Sequence, residues 1–320
     1  MKKRTHFEFN FNMALFLILI VSFFVIAQRN SAFMSPDYVI EVVLKNAVEI
    51  GMLALPMTLV IVTGGIDLSC GNIMVLSAMA GGMVGGKLGS LAGVIVTILI
   101  GAACGLLNGV IIARARVPAM ITTLATMYLY LGIAKGISKG DSIYSYPAAT
   151  ALGNFELFGL PIQIYIYALL AVVYVILLHR SCFGRKLIAI GLNENATRYC
   201  GIDTGKSIMA AYLLEGLTAS VAALIWIGRF TSLKFDAGTN LHMKAITVVV
   251  LGGTSIVGGV GDMRGTVLAT LIIAVFNSGL TVLNLAIDAQ TIIQGAVLLV
   301  SLVVYEAIHR YQRNKKLIRG

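Results

Sequence analysis

Leu53-Ala54-Leu55-Pro56-Met57-Thr58-Leu59-Val60-Ile61-Val62-Thr63 runs directly into Gly64-Gly65-Ile66-Asp67-Leu68-Ser69. The first part closes an apolar run, about 46–63, hydrophobic enough to cross a bilayer. The second sets one carboxylate between glycines and a serine, where a charge is costly and needs a reason. Nine further apolar runs surround it, at about 11–27, 71–86, 91–113, 118–134, 161–178, 207–228, 245–260, 266–283 and 289–305. The expected fold is all-α: a polytopic integral membrane protein of about 10 transmembrane helices. Several runs are short for a bilayer core of about 30 Å, and their glycines leave room for broken or re-entrant pieces.

Composition agrees. Hydrophobic residues make up 58% of the chain and charged ones 12%, where soluble domains carry about a quarter charged. Mean hydropathy is +0.91. The 34 glycines suit close helix–helix approach in lipid. Ten spans with short connections use up the 320 residues, so residues 1–320 are expected to form one transmembrane domain. The net charge of +10 sits in short clusters between apolar runs, which points to membrane topology and away from nucleic acid. Cys70, Cys104, Cys182 and Cys200 have no CxxC or zinc spacing and read as small packing residues; no metal or cofactor is expected.

The basic residues set the expected orientation. With the N-terminus inside, Lys2, Lys3, Arg4, Arg114, Arg116, Arg180, Arg185, Lys186, Arg198, Lys206 and the basic residues of the C-terminal tail fall on the inner side. Two basic residues then lie inside for each one outside, as the positive-inside rule requires, and both termini are cytoplasmic. The 1–10 and 307–320 tails and a 180–206 loop are expected inside, and a 135–160 loop outside. The first run also has signal-peptide grammar, with Val25-Ile26-Ala27 as a small-residue site, but its apolar stretch is long for that role.

The 180–206 stretch is the most polar of the chain, and part of it reads as a short helix. Asn193 suits an N-cap, Glu194 favours the positive helix start, and Gly201 can take the left-handed geometry that ends a helix. Ala196 and Cys200 lie i,i+4 on one face. Two turns are not stable alone in water, so such a helix needs a surface to lie against, and a soluble partner protein is a natural one. The sequon at Asn195 is a decoy in this topology.

These residues carry a resemblance. The chain resembles the permease subunit of bacterial ABC importers for simple sugars, of the ribose, xylose and arabinose type. The matching stretches are Gly64 to Ser69, Val117-Pro118 through Thr122 to Thr126, Phe183-Gly184-Arg185, Gly191 to Ile202, Val250 to Ser255, and Gly258 to Gly261. The resemblance implies three protein partners: a cytoplasmic ABC ATPase subunit, a periplasmic solute-binding protein, and a second permease subunit in a homo- or heterodimeric pore. It implies that Gly191, Asn193, Glu194, Ala196 and Gly201 belong to the loop that docks on the ATPase. It also implies residence in the bacterial inner membrane and transport of a monosaccharide or sugar-like solute. The chain itself has no nucleotide site: Gly81 to Leu88 has phosphate-loop glycine spacing, but Leu88 replaces the required Ser or Thr and the stretch ends an apolar run.

Asp67, Ser69, Asn72 and Glu215 are the candidate residues of a translocation path. Asp67 reads either as a gate element or as the cap of the next helix through the Ser69 and Cys70 amides. Glu215 falls near mid-membrane, where an ionisable group is a functional candidate by default; pairing with Thr218 or Tyr212 is the alternative. Two positions depart from the family pattern: Glu215, where a small residue is usual, and His242-Met243-Lys244, where acidic residues are common. Asn108, Gln163, Asn277, Asn284 and Gln294 read as helix–helix glue. Tyr128, Tyr130, Tyr165, Tyr167 and Trp226 read as an interfacial belt. The subunit is expected to be no enzyme, since HExxH is absent and ATP hydrolysis is expected on a separate subunit. A proton-coupled secondary transporter is the rival reading, opposed by the lack of matching broken helices in the two halves.

Overall fold

The computed structural model describes residues 35–286 without a break, with residues 16–17, 19–28 and 33 before them and parts of 289–303 after them. The expected 1–10 and 307–320 tails and Gln294 lie outside the described residues, as does much of the 289–305 run. The described chain is mostly helical. Leu19–Gln28 (α1) is followed by Pro36–Val62 (α2), Cys70–Leu88 (α3), Ser90–Ala113 (α4) and Ala119–Ser138 (α5). Next come the strand Ile143–Tyr144 (β1), Pro147–Asn154 (α6), the strands Glu156–Leu157 (β2) and Leu160–Pro161 (β3), and Ile162–His179 (α7). Cys182–Leu192 (α8), Glu194–Tyr199 (α9), Thr204–Phe230 (α10), the strand Ser232–Leu233 (β4), Leu241–Leu251 (α11) and Met263–Val282 (α12) complete it.

Six of these helices, α2, α4, α5, α7, α10 and α12, are long and apolar enough to cross a membrane. The protein is a polytopic membrane protein by this measure. α3 matches them in length but carries glycines at 71, 81, 82, 85 and 86, and most of it is buried inside the bundle. α1 and α11 are shorter apolar helices.

One expected run is corrected. The 245–260 stretch is helical only to Leu251, because Gly252-Gly253 and Gly258-Gly259 turn the chain into an irregular 252–262 loop. Gly253, Gly258 and Gly259 all have positive φ, which is the physical reason for the break. Hydropathy does not register it, since Val257 and Val260 keep the run apolar.

Small residues bring the central helices together. At Gly105 of α4 an added Cβ would lie 2.3 Å from the Tyr212 carbonyl of α10, and at Gly216 it would lie 2.1 Å from the Gly101 carbonyl. Backbone-to-backbone contact of this kind is how membrane helices gain packing without a hydrophobic driving force.

The elements sort into two ends. At one end lie the close of α2, the 113–119 turn, α8, α9 and the starts of α10 and α12, joined by Arg116 Nη1 to Glu194 Oε1 at 3.0 Å and His179 Nε2 to Asp262 Oδ1 at 3.1 Å. At the other, β1 pairs antiparallel with β4, α6 packs on α10, and Arg229 Nη1 meets Glu49 Oε1 at 2.5 Å. The 135–160 stretch, expected as a loop, is thus a structured cover with its own helix, the small β2–β3 hairpin and the long-range pairing of β1 with β4.

Candidate functional site

Two chain breaks meet in the middle of the bundle. Residues 63–69 leave α2 and enter α3 as irregular backbone, and 234–240 reaches in from the β4 side. An added Cβ on Gly71 would lie 2.7 Å from the Gly238 carbonyl, so the 234–240 segment is in backbone contact with the start of α3, where the first break ends.

Around the first break lies a buried polar network. Asp67 Oδ1 accepts from the Ser69 backbone N–H and from Ser69 Oγ, each at 2.6 Å. Asn108 Nδ2 donates to Ser69 Oγ at 2.8 Å and approaches Asp67 Oδ2 at 3.5 Å. Tyr130 Oη donates to the Cys104 carbonyl at 3.0 Å and lies 3.1 Å from Asn108 Oδ1. Thr123 Oγ1 donates to the Ile66 carbonyl at 2.9 Å, tying the break to α5. All of these polar side chains are buried. Of the two amides in the capping alternative for Asp67, that of Ser69 donates to its carboxylate, and α3 starts after Ser69 without a side-chain cap; Asp67 itself lies buried inside the bundle. Asn108 sits about 8 Å short of the end of α4, at 1.5 Å per residue, so the network lies below the basic end and inside the helices.

Ser69 joins this network, whereas Asn72 does not: its Nδ2 donates to the Met127 carbonyl at 2.8 Å and links α3 to α5. Glu215 is fully buried and, among the described residues, neither carboxyl oxygen has a hydrogen-bond partner, nor has Tyr212 Oη one turn away. The alternative for Glu215, pairing with Thr218 or Tyr212, is not what the fold makes, because Thr218 Oγ1 lies 2.6 Å from Tyr174 Oη instead. Tyr212 Oη is within 2.7 Å of where a Cβ on Gly65 would be, which puts the α10 face beside the first break.

The belt reading also divides. Tyr128 is exposed and Tyr165 half-buried, whereas Tyr130, Tyr167 and Trp226 are buried within the bundle. Their amphipathic chemistry serves internal contacts as readily as an interface, and sequence position near a span end did not separate the two uses. Gln163 is buried with no partner for its amide among the described residues. Gly81 to Leu88 lies within α3, which leaves no strand-to-helix turn for a phosphate.

The polar end segment folds as its local chemistry dictates. Asn193 Oδ1 accepts from the Ala196 N–H at 2.9 Å and caps α9, and Gly201 closes it at φ +82°. Glu194 does more than favour the helix start: its Oε1 also takes Arg116 Nη1, Arg198 Nη2 at 2.9 Å and Thr204 Oγ1 at 3.1 Å. Ala196, Cys200 and Tyr199 are solvent-exposed, Tyr199 at 91%. Asp203 caps α10 through the Lys206 N–H, and that bond holds its carboxyl below the usual carboxylate range. The deepest contact is at Gly191, where an added Cβ would fall 2.0 Å from the Val62 carbonyl and 2.3 Å from the Gly259 N–H. Gly259 N–H itself donates to Val62 at 2.9 Å. The end of α8 thus rests on both the 63–69 and the 252–262 breaks.

That arrangement corrects the reading that the two halves have no matching broken helices. Both breaks follow an apolar helix and open on paired glycines, Gly64-Gly65 and Gly252-Gly253, and they touch through Gly64 and Gly258.

Residues 39–302 match the family described as "Branched-chain amino acid transport system / permease component". The chain belongs to this permease family. The permease is 34% identical over 314 residues to the ribose import permease of Bacillus subtilis (strain 168), covering 95% of both chains. It is 32% identical over 285 residues to the autoinducer 2 import system permease of Photorhabdus temperata, covering 84% of this chain and 86% of that one. A second autoinducer 2 import permease, from Escherichia coli O9:H4 (strain HS), is 32% identical over 279 residues, 84% of each. No solved structure matches the permease.

Proposed function

We propose that this protein is the transmembrane permease subunit of an ATP-driven importer that carries a monosaccharide or sugar-like solute across the bacterial inner membrane. The observation that carries the reading is end-to-end likeness to a ribose import permease, over 95% of both chains. The pore is a pair of permease subunits, the solute arrives from a periplasmic binding protein, and ATP is hydrolysed on a separate cytoplasmic subunit. The fold has about ten spans with both termini inside, and residues 1–320 form one domain. The 180–206 segment docks on the ATPase, with Gly191, Asn193, Glu194, Ala196 and Gly201 shaping the docking element. Its contact with both chain breaks supports the coupling: force applied to α8 reaches residues 62–64 and 258–259 without an intermediary. Asp67, Ser69 and Glu215 line the moving region, and Asn72 holds α3 to α5 beside it.

The unpartnered Glu215 carboxyl and the matched breaks favour a second reading, a proton-coupled transporter. Uptake of labelled ribose or another simple sugar, measured in cells carrying the complete system, separates the two. Uptake that survives a protonophore and stops on ATP depletion is expected. Loss with the protonophore at full ATP would overturn the importer reading.

A further inference from the structure

A recess of about 400 Å³ opens between the end of α4 and the start of α10, apart from the buried network. Four cations line it, Arg114, Arg116, Arg198 and Lys206, against the single carboxylate of Asp203. Arg116 and Arg198 share Glu194, and Lys206 Nζ lies 3.1 Å from Asp203 Oδ2. The Arg114 guanidinium makes no hydrogen bond within the described residues, although it faces Asp203 electrostatically. Counting Glu194 with the lining, positive charge remains in surplus. Ala113 and Met209 add apolar wall to the same recess.

The helix above Arg114 says what kind of anion fits. Leu99, Ala103, Leu107 and Val110 precede Arg114 at spacings of three and four, so all five share one face of α4. Leu99 is 60% and Leu107 42% exposed, and Ala103 is exposed too, so this face of a spanning helix is uncovered by the described chain. A soluble protein would reach only the recess. A phospholipid meets both, with its acyl chains on the stripe and its phosphate among the cations, as basic pockets between membrane helices do. We propose that this recess is a binding site for the phosphate head group of an anionic phospholipid lying along the α4 stripe.

The test is native mass spectrometry of the full-length permease in mild detergent, with phosphatidylglycerol and phosphatidylcholine of identical chains. Preferential retention of phosphatidylglycerol is expected. Arg114→Gln with Lys206→Gln should lower that retention about fivefold per charge removed. Asp203→Asn keeps an N-cap acceptor while removing the opposing carboxylate, so it should raise retention, a gain that misfolding cannot imitate. Equal retention of the two lipids, or retention unchanged in the double variant, would overturn the site. So would displacement of phosphatidylglycerol by millimolar inorganic phosphate, which would assign the recess to a free anion. Loss of ATPase co-purification in the double variant with lipid retention intact would assign the cations to a protein partner and equally overturn it.

Discussion

Asn108 and Glu215 are two buried polar side chains in opposite circumstances. Asn108 uses its amide to hold Ser69, through it Asp67, and Tyr130, so one residue of α4 ties the 63–69 segment to α5. Asn108→Leu strips those partners inside a water-poor interior, and a loss of about 1–3 kcal/mol is expected. A lowered melting temperature of the detergent-purified permease checks it. Glu215 holds nothing, so Glu215→Leu is expected to leave the melting temperature unchanged or raised, because no partner is orphaned by the change. The same variant should still lose solute uptake if the carboxyl serves the path, and a stable variant with full uptake would remove Glu215 from it. In the sequence Asn108 looks like any amide in a span, because its partners lie 22 to 41 residues away and only the helix crossing brings them together. Glu215 was legible as an outlier because a lone carboxylate in an apolar run needs no tertiary knowledge to be noticed.

Helix α9 and the loop at 252–262 show which elements a sequence announces. The Asn193 cap, the Glu194 start and the Gly201 stop involve atoms within a few residues of one another, so local chemistry suffices to read them. The break after Leu251 depends on Gly252 meeting the start of α12 and on Gly258 and Gly259 meeting α8 and the close of α2, and an apolar composition conceals it. Gly191 tests the contact. Gly191→Ala is tolerated by helix propensity, yet its methyl would fall 2.0 Å from the Val62 carbonyl, so α8 must move off the breaks. ATPase activity is expected to persist while solute-stimulated uptake falls at least tenfold. Gly201→Ala meets no atom within 4 Å and strains only its own positive φ, so it should reduce stability by about 1 kcal/mol and leave uptake coupled. Equal uptake losses in the two variants would remove the special role of the Gly191 contact.

At the scale of the whole molecule, the two ends sorted by contact carry unequal charge. Arg114, Arg116, Arg180, Arg185, Lys186, Arg198, Lys206 and Arg264 gather at the α8–α9 end, while Lys87, Lys135, Lys139, Arg229, Lys234 and Lys244 lie toward the β1–β4 end. The apolar runs made the polytopic class readable at once, and the charge asymmetry made an orientation readable, but neither fixes how many runs cross fully. The four cysteines supply a probe already in place. Cys70 and Cys104 are buried, whereas Cys182 and Cys200 are exposed at the α8–α9 end. A membrane-impermeant maleimide should therefore label the intact permease in inside-out vesicles and leave it unlabelled in right-side-out ones. Cys182→Ser with Cys200→Ser should abolish the labelling without touching the interior pair. Labelling from the periplasmic side would invert the molecule, moving the docking segment away from ATP and the basic recess to the outer leaflet. The positive-inside bias of the same end argues for the first result, because moving that many cations across the membrane during insertion is the costlier arrangement.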